Sequence, residues 1–202
     1  MPEICDFKLA SDIGGRCDSP QVAGVKNTGW LINFDDIDWD TLTKDQTNDH
    51  IITALMLQSG KRAYKVVVPG KTPFTGTQTA LATGTYKNKF TKTASLVVLD
   101  SGPDVAKNVI DQLANGLFVF IFENKYAGAD KKNTFEIYGL EQGLSATEMT
   151  NEKYSEETDG GWAVTLEETG APSSGLFFFK ESIAVTRAAL ASLVTGTQQS
   201  NN

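Results

Sequence analysis

The sequence predicts a mainly β fold of the α+β class: a β-sandwich or barrel with one flanking helix, a long extended hairpin or loop, and a short C-terminal helix. Three observations lead there. Short runs of β-formers recur along the chain, Gly, Pro and Ser separate them, and only one segment has firm helical spacing. A chain of 202 residues suffices for one core, since domains commonly run to roughly 100–150 residues. The expected organisation is an N-terminal arm over 1–27, a single β-rich domain over 28–196 and a flexible tail over 197–202.

Trp30-Leu31-Ile32-Asn33-Phe34 reads as the first strand, followed by an acidic connector over 35–49. Residues 51–58 and 63–68 are both rich in β-formers and are split by Ser59-Gly60-Lys61, which predicts a hairpin. Residues 69–93 are dense in Thr, Gly and Lys and lack a core-forming period, so they read as a functional or unstructured excursion. A buried strand resumes at Leu96 to Leu99.

Ser101-Gly102-Pro103-Asp104 opens the clearest helix. Pro suits the first turn, Asp104 complements the dipole, and Val105, Val109, Ile110 and Leu113 share a face. Gly116 is expected to end it in a left-handed conformation. Leu117 to Phe122 is a continuous apolar strand, and Phe135 to Tyr138 alternates as a half-buried strand does. Trp162 to Leu166 alternates again, and Phe177-Phe178-Phe179 forms another strand. Thr186 is placed to cap a helix over 187–194, closed by Gly196.

The formal charge of −7 and the pI of about 4.7 argue against general or sequence-specific nucleic-acid binding, which needs a basic face. No run approaches the roughly 20 apolar residues of a membrane helix, and the N-terminus has no leader-like pattern. Synthesis in a cytoplasm is expected; Cys5 and Cys17 could form one disulfide, but without a secretion signal two reduced thiols are the expectation.

Few residues suggest chemistry. His50 is the single histidine and follows a polar linker rather than a nucleophile motif, so it reads as a strand-edge side chain. With only two cysteines beside it, no zinc set forms. Asp36, Asp38 and Asp40 alternate as in a calcium loop, but Thr41 stands where glycine belongs and Thr47 where the bidentate acid belongs. They read as a solvated connector. No phosphate-cradling loop occurs. The expectation is a non-enzyme with no catalytic residue, metal or cofactor. Trp30, Trp39 and Trp162 suggest an alternative, a sandwich that binds a carbohydrate or protein ligand, against the simpler reading of core tryptophans.

Charge is segregated. From Lys61 to Leu99 there is no Asp or Glu, while Lys61, Arg62, Lys65, Lys71, Lys87, Lys89 and Lys92 carry +7 of a chain whose total is −7, leaving −14 elsewhere. Two copies therefore attract when this segment of one meets the acidic body of the next, and such a head-to-tail contact propagates into rings or filaments. The predicted interface comprises those seven cations with Phe74, Tyr86 and Phe90, facing Asp35, Asp36, Asp38 and Asp40. The three aromatics could stack bases, but the acidic body opposes phosphates.

A strand pair, a long Thr/Gly-rich excursion, a return strand and then a helix resemble the tail-tube proteins of tailed bacteriophages and the inner tubes of contractile injection systems. In this resemblance the hairpin arms are 63–68 and 94–99, the tip is 71–92 and the helix is 103–115. Gly139-Leu140-Glu141-Gln142-Gly143-Leu144, the stretch from Asp159 to Leu166, and Cys17-Asp18-Ser19-Pro20-Gln21-Val22-Ala23-Gly24-Val25 are similar in texture to virion proteins of phages of gut Bacteroidetes. The resemblance implies a structural subunit of the virion tail, made in the bacterial host cytoplasm and assembled into hexameric rings or a tube. Its partners are copies of itself and other virion proteins, and DNA passes through the assembled lumen. Within the same class it admits a neck, tail-completion or head-decoration subunit.

Overall fold

The computed structural model describes residues 8–14, 20–68 and 73–196. The thiols Cys5 and Cys17, the tip residue Lys71, the break at Pro69-Gly70 and the tail 197–202 lie outside them.

In chain order the strands are β1 (Val25–Asn33), β2 (Thr43–Lys44), β3 (Ile51–Ala54), β4 (Tyr64–Val67), β5 (Phe74–Ala82), β6 (Lys89–Val98), β7 (Phe118–Asn124), β8 (Phe135–Tyr138), β9 (Ser145–Asn151), β10 (Trp162–Ala171) and β11 (Leu176–Phe178). They form two sheets. The larger runs β2-β3-β11-β8-β7-β1-β4 and the smaller β5-β6-β10-β9. The fold is thus mainly β, a sandwich without barrel closure.

The larger sheet is buried on both faces along its central strands. Towards the smaller sheet it presents Leu31, Phe120, Phe122 and Tyr138, which meet Phe74, Leu96, Val164 and Leu166. On its other face Trp30, Ile32, Val119, Ile121 and Ile137 pack beneath the C-terminal helix Ile183–Thr195 through Leu190 and Leu193. That is why β7 is an unbroken apolar run: every residue from Phe118 to Glu123 is buried. Phe135-Glu136-Ile137-Tyr138, expected to be half-buried, is likewise covered on both sides, with Phe135, Ile137 and Tyr138 buried. The C-terminal helix is clasped to the sheet by Arg187, whose guanidinium reaches Glu123 at 2.6 Å.

The hairpin expected from 51–58 and 63–68 does not form. β3 pairs in parallel with β11, through Phe177 opposite Ile51, while β4 pairs with β1 at the far edge of the sheet. The chain does turn at Gly60, whose φ is 77°. However, Leu55, Leu57 and Ala63 are buried in the helix-side core, so the connection crosses beneath the sheet. Burying three apolar side chains outweighs the local turn signal.

The excursion is also different from its expectation. Residues 74–82 and 89–98 are the arms of a hairpin in the smaller sheet, paired from Phe74–Leu96 to Ala82–Lys89 with a register shift between Phe74 and Gly76. β4 and β6 lie in different sheets, so 63–68 and 94–99 are not its arms. Only residues 83–88 lie between the arms.

The expected helix over 103–115 is present in three stretches, Pro103–Val105, a π-type Ala106–Ile110 and Asp111–Asn115. Ile110 and Leu113 are buried, whereas Val109 of the same expected face is exposed. Gly116 ends the helix in extended backbone, with φ −94° and ψ 171°. Glycine is needed there because a Cβ would press on the Gln112 carbonyl and the Phe118 ring. The C-terminal helix begins before its expected start: Ser182, not Thr186, caps it by accepting from the Val185 amide at 3.3 Å. Gly196 closes it in left-handed backbone, as expected.

Candidate assembly surfaces

The smaller sheet is longer than the layer facing it. Along the β5–β6 hairpin, successive inward pairs are Thr77–Ala94, Thr79–Lys92 and Leu81–Phe90. The Thr79 hydroxyl donates to the Tyr138 hydroxyl at 3.2 Å, and Lys92 reaches Glu141 of the opposite layer. One step further out Leu81 is 59% exposed although it points inward, and Tyr86 in the connecting loop is wholly exposed. The end of the hairpin therefore overhangs the sandwich. It carries Leu81, Tyr86, Phe90, Lys87 and Lys89, with no acid on the segment.

The other predicted interface residues divide into three groups. Phe74 and Lys92 are interior: Phe74 packs on Phe120 at 5.3 Å between ring centres, and Lys92 has no exposed surface. Lys61 and Asp36, placed on opposing partners by charge, pair with each other inside one chain at 2.8 Å. Burial lifts the Asp36 carboxyl, but hydrogen bonds from Lys61 and Asn33 outweigh it and hold it below the usual range. Arg62 lies over the Tyr64 ring at 5.1 Å, and Lys65 is exposed on β4, an edge strand. Asp35 and Asp40 are exposed and Asp38 half-buried. Lys61 and Lys92 are thus matched by carboxylates of their own chain.

Lys92 reveals a site that charge counting along the sequence misses. It lies directly opposite Glu168 on β10, and both side chains are fully buried. The ammonium is 3.4 Å from Glu168 and 3.2 Å from Glu141. Glu168 also accepts backbone N–H groups from Gly139, Glu141 and Gln142 at 2.8, 3.0 and 2.8 Å. Glu141 accepts from the Ser173 hydroxyl at 2.7 Å. The two carboxylates face the one ammonium, and Glu168 takes three backbone donors besides, the kind of compensation under which buried ions persist. It closes the open end of the sandwich at the root of the overhang. The signal was present in the alternation Lys92-Ala94-Leu96 against Glu168-Leu166-Val164, which puts both ions on inner positions.

Two neighbours feel the same environment. Burial pushes the Glu136 carboxyl above its ordinary value, against a hydrogen bond from Asn124 and the charge of Lys92. Burial, with the Glu136 charge, pushes the Tyr138 phenol up to about 12, so it stays neutral and can accept from Thr79. An acid whose folded pKa is raised contributes stability below its unfolded value. That contribution is lost as pH rises through the interval up to the folded value. Glu136→Gln should therefore flatten the decline in melting temperature above about pH 4.5 and raise the melting point at neutral pH. A melting curve measured against pH for both proteins tests this, and parallel curves would refute it.

The remaining candidates do not converge. Asp36 faces Lys61 and Asn33 while Asp38 accepts from the Asp40 amide. Among the described residues no three His, Cys, Asp or Glu side chains are grouped to hold a metal ion. His50 Nδ1 donates to the Gly175 carbonyl at 2.6 Å, beside the β3–β11 pairing. The tryptophans form no platform: Trp30 is buried in the helix-side core, Trp162 packs on the sandwich core, and Trp39 is tilted against Phe34. A cleft of about 680 Å³ lies between the free edge of β4 and the π-type stretch, lined by Leu31, Val66, Leu96, Leu113, Arg62 and Asn108 among others.

Compared with known proteins, the chain matches no family model, no curated protein and no solved structure.

Proposed function

We propose that this chain is a structural subunit that assembles head-to-tail into rings or a tube, as the resemblance to phage tail-tube proteins implies, with the β5–β6 hairpin reaching the next copy. The observation that carries the reading is Leu81. An inward-facing apolar side chain at 59% exposure lacks the layer that would cover it, and a neighbouring subunit supplies one. Beside it stand Phe90 and the exposed Tyr86, aromatic side chains of the kind that anchor interfaces.

The test shortens the hairpin without touching its root. Replacing residues 83–88 with a two-residue Asn-Gly turn keeps Lys92 and the sheet register intact. The shortened protein should melt within a few degrees of wild type and stay monomeric in light scattering. Wild type at high concentration should show rings or tubes in negative stain. Unchanged assembly after the replacement, or a wild type monomeric at every concentration, would overturn the reading.

A second reading, a ligand-binding sandwich, has the cleft beside β4 in its favour, because its size and mostly apolar walls are those of small-molecule sites. It requires a monomer whose melting temperature rises with ligand.

A further inference from the structure

The smaller sheet carries opposite charge at its two ends. Register fixes the ends: Ala82 pairs with Lys89 at one, and Trp162 pairs with both Val98 and Asn151 at the other. Ten residues of β6 at about 3.3 Å each separate them by about 33 Å. The first end is the overhanging hairpin with Lys87 and Lys89. At the second, two loops meet. Residues 99–104 bring Asp100 and Asp104, and residues 152–161 bring Glu152, Glu156, Glu157 and Asp159, all six exposed. The loops are tied where Lys153 Nζ donates to the Ser101 hydroxyl at 3.1 Å, and Lys153 is the one cation of those loops. Tyr154 stands among them at 96% exposure, as Tyr86 does at the basic end at 101%.

From this we infer that the surface receiving the basic hairpin is the acidic end of the smaller sheet in a second copy of the chain. The inference rests on the head-to-tail reading above and names its acceptor, in place of the acidic connector at Asp35–Asp40, whose Asp36 is already paired to Lys61. The occupant follows from charge and from shape. An acid-free tip with an exposed aromatic faces a patch of six carboxylates with an exposed aromatic. The two point in opposite directions along one sheet, so the contact of one copy leaves the other end open for the next. Copies in the reverse orientation would bring like charge together.

Two charge reversals test it. Lys87→Glu with Lys89→Glu makes both ends acidic, and Glu156→Lys with Glu157→Lys cuts the charge of the acceptor, six carboxylates with Lys153, from −5 to −1. Each variant alone should need about tenfold or more higher concentration to assemble at low salt. An equimolar mixture of the two should form dimers that go no further, through the unaltered hairpin of one variant and the unaltered acceptor of the other. Wild-type assembly should weaken between low salt and 1 M NaCl, where the Debye length falls to about 3 Å. All four residues are exposed, and a melting curve of each variant, expected within a few degrees of wild type, checks that it is folded. If the Glu156/Glu157 variant assembles like wild type, the acceptor lies elsewhere while the hairpin reading stands. If both variants lose assembly and the mixture forms no dimer, the pairing of these ends is wrong. If wild type itself stays monomeric at every concentration, the head-to-tail reading has failed.

Discussion

Lys92→Met should destabilise the protein by about 3–5 kcal/mol, the range for removing one partner from a buried ion pair. Methionine fills much of the space, so the loss is electrostatic rather than a cavity. Glu168 would remain buried and the half-buried Glu141 beside it would also lose its cation, and Glu168, at 0% side-chain exposure, has no access to water. For a chain of this size each kcal/mol moves the melting point by about 2–4 °C, so a fall of roughly 10 °C is expected. Two comparisons separate this from a general intolerance of the strand. Lys89→Met, three residues earlier on the same strand and exposed, should stay within about 0.5 kcal/mol of wild type. Lys92→Met in a Glu141→Gln background should cost less than the sum of the two single changes, because the groups interact directly. Urea denaturation of wild type, the three single variants and the double variant reads all of this. A Lys92→Met protein within 1 kcal/mol of wild type would mean that the cluster is not held as ions.

How much of this was legible depends on which forces set each feature. The run Leu117 to Phe122 was readable because β7 is covered on both faces, and Trp162 to Leu166 because β10 is covered on one. In both cases burial writes a period into the sequence. β5 was unreadable for the converse reason. Its inward positions Thr77, Thr79 and Leu81 meet a polar row and then open space, so no apolar alternation was required. The pairing of β3 with β11 joins Ile51 to Phe177, and no local turn signal reports a partner so distant in the chain. Ser59-Gly60 marked a real turn but could not say where the chain went next. Of the predicted interface, the loop residues Tyr86 and Lys87 stand on the surface as polar loop composition suggests. Lys92 and Phe74 were misplaced because charge and aromaticity were counted along the chain without asking which face of a strand they occupy.

Gly139→Ala should be among the most damaging single-methyl changes in the chain. Gly139 follows β8 with φ at 83°, a region that costs an L-residue roughly 1–2 kcal/mol. An alanine Cβ there would collide with the Phe118 carbonyl oxygen and lie 3.0 Å from the Leu144 amide. Neither can move aside easily, because Phe118 and Leu144 are joined by two backbone hydrogen bonds of 2.9 and 2.8 Å. The Gly139 amide in turn donates to Glu168 at 2.8 Å, so a shifted turn also withdraws a donor from the buried ion cluster. Adding the backbone term to one or two broken buried hydrogen bonds, at about 1–3 kcal/mol each, gives a loss of roughly 2–8 kcal/mol. Gly60→Ala supplies the control. Gly60 has nearly the same φ, 77°, but nothing within 4 Å of the added methyl, so it should lose only the backbone term. Thermal and urea melts of the two variants therefore separate conformational strain from close approach. Equal losses would show that the Phe118–Leu144 bridge yields freely, and that the turn does not hold Glu168 in place.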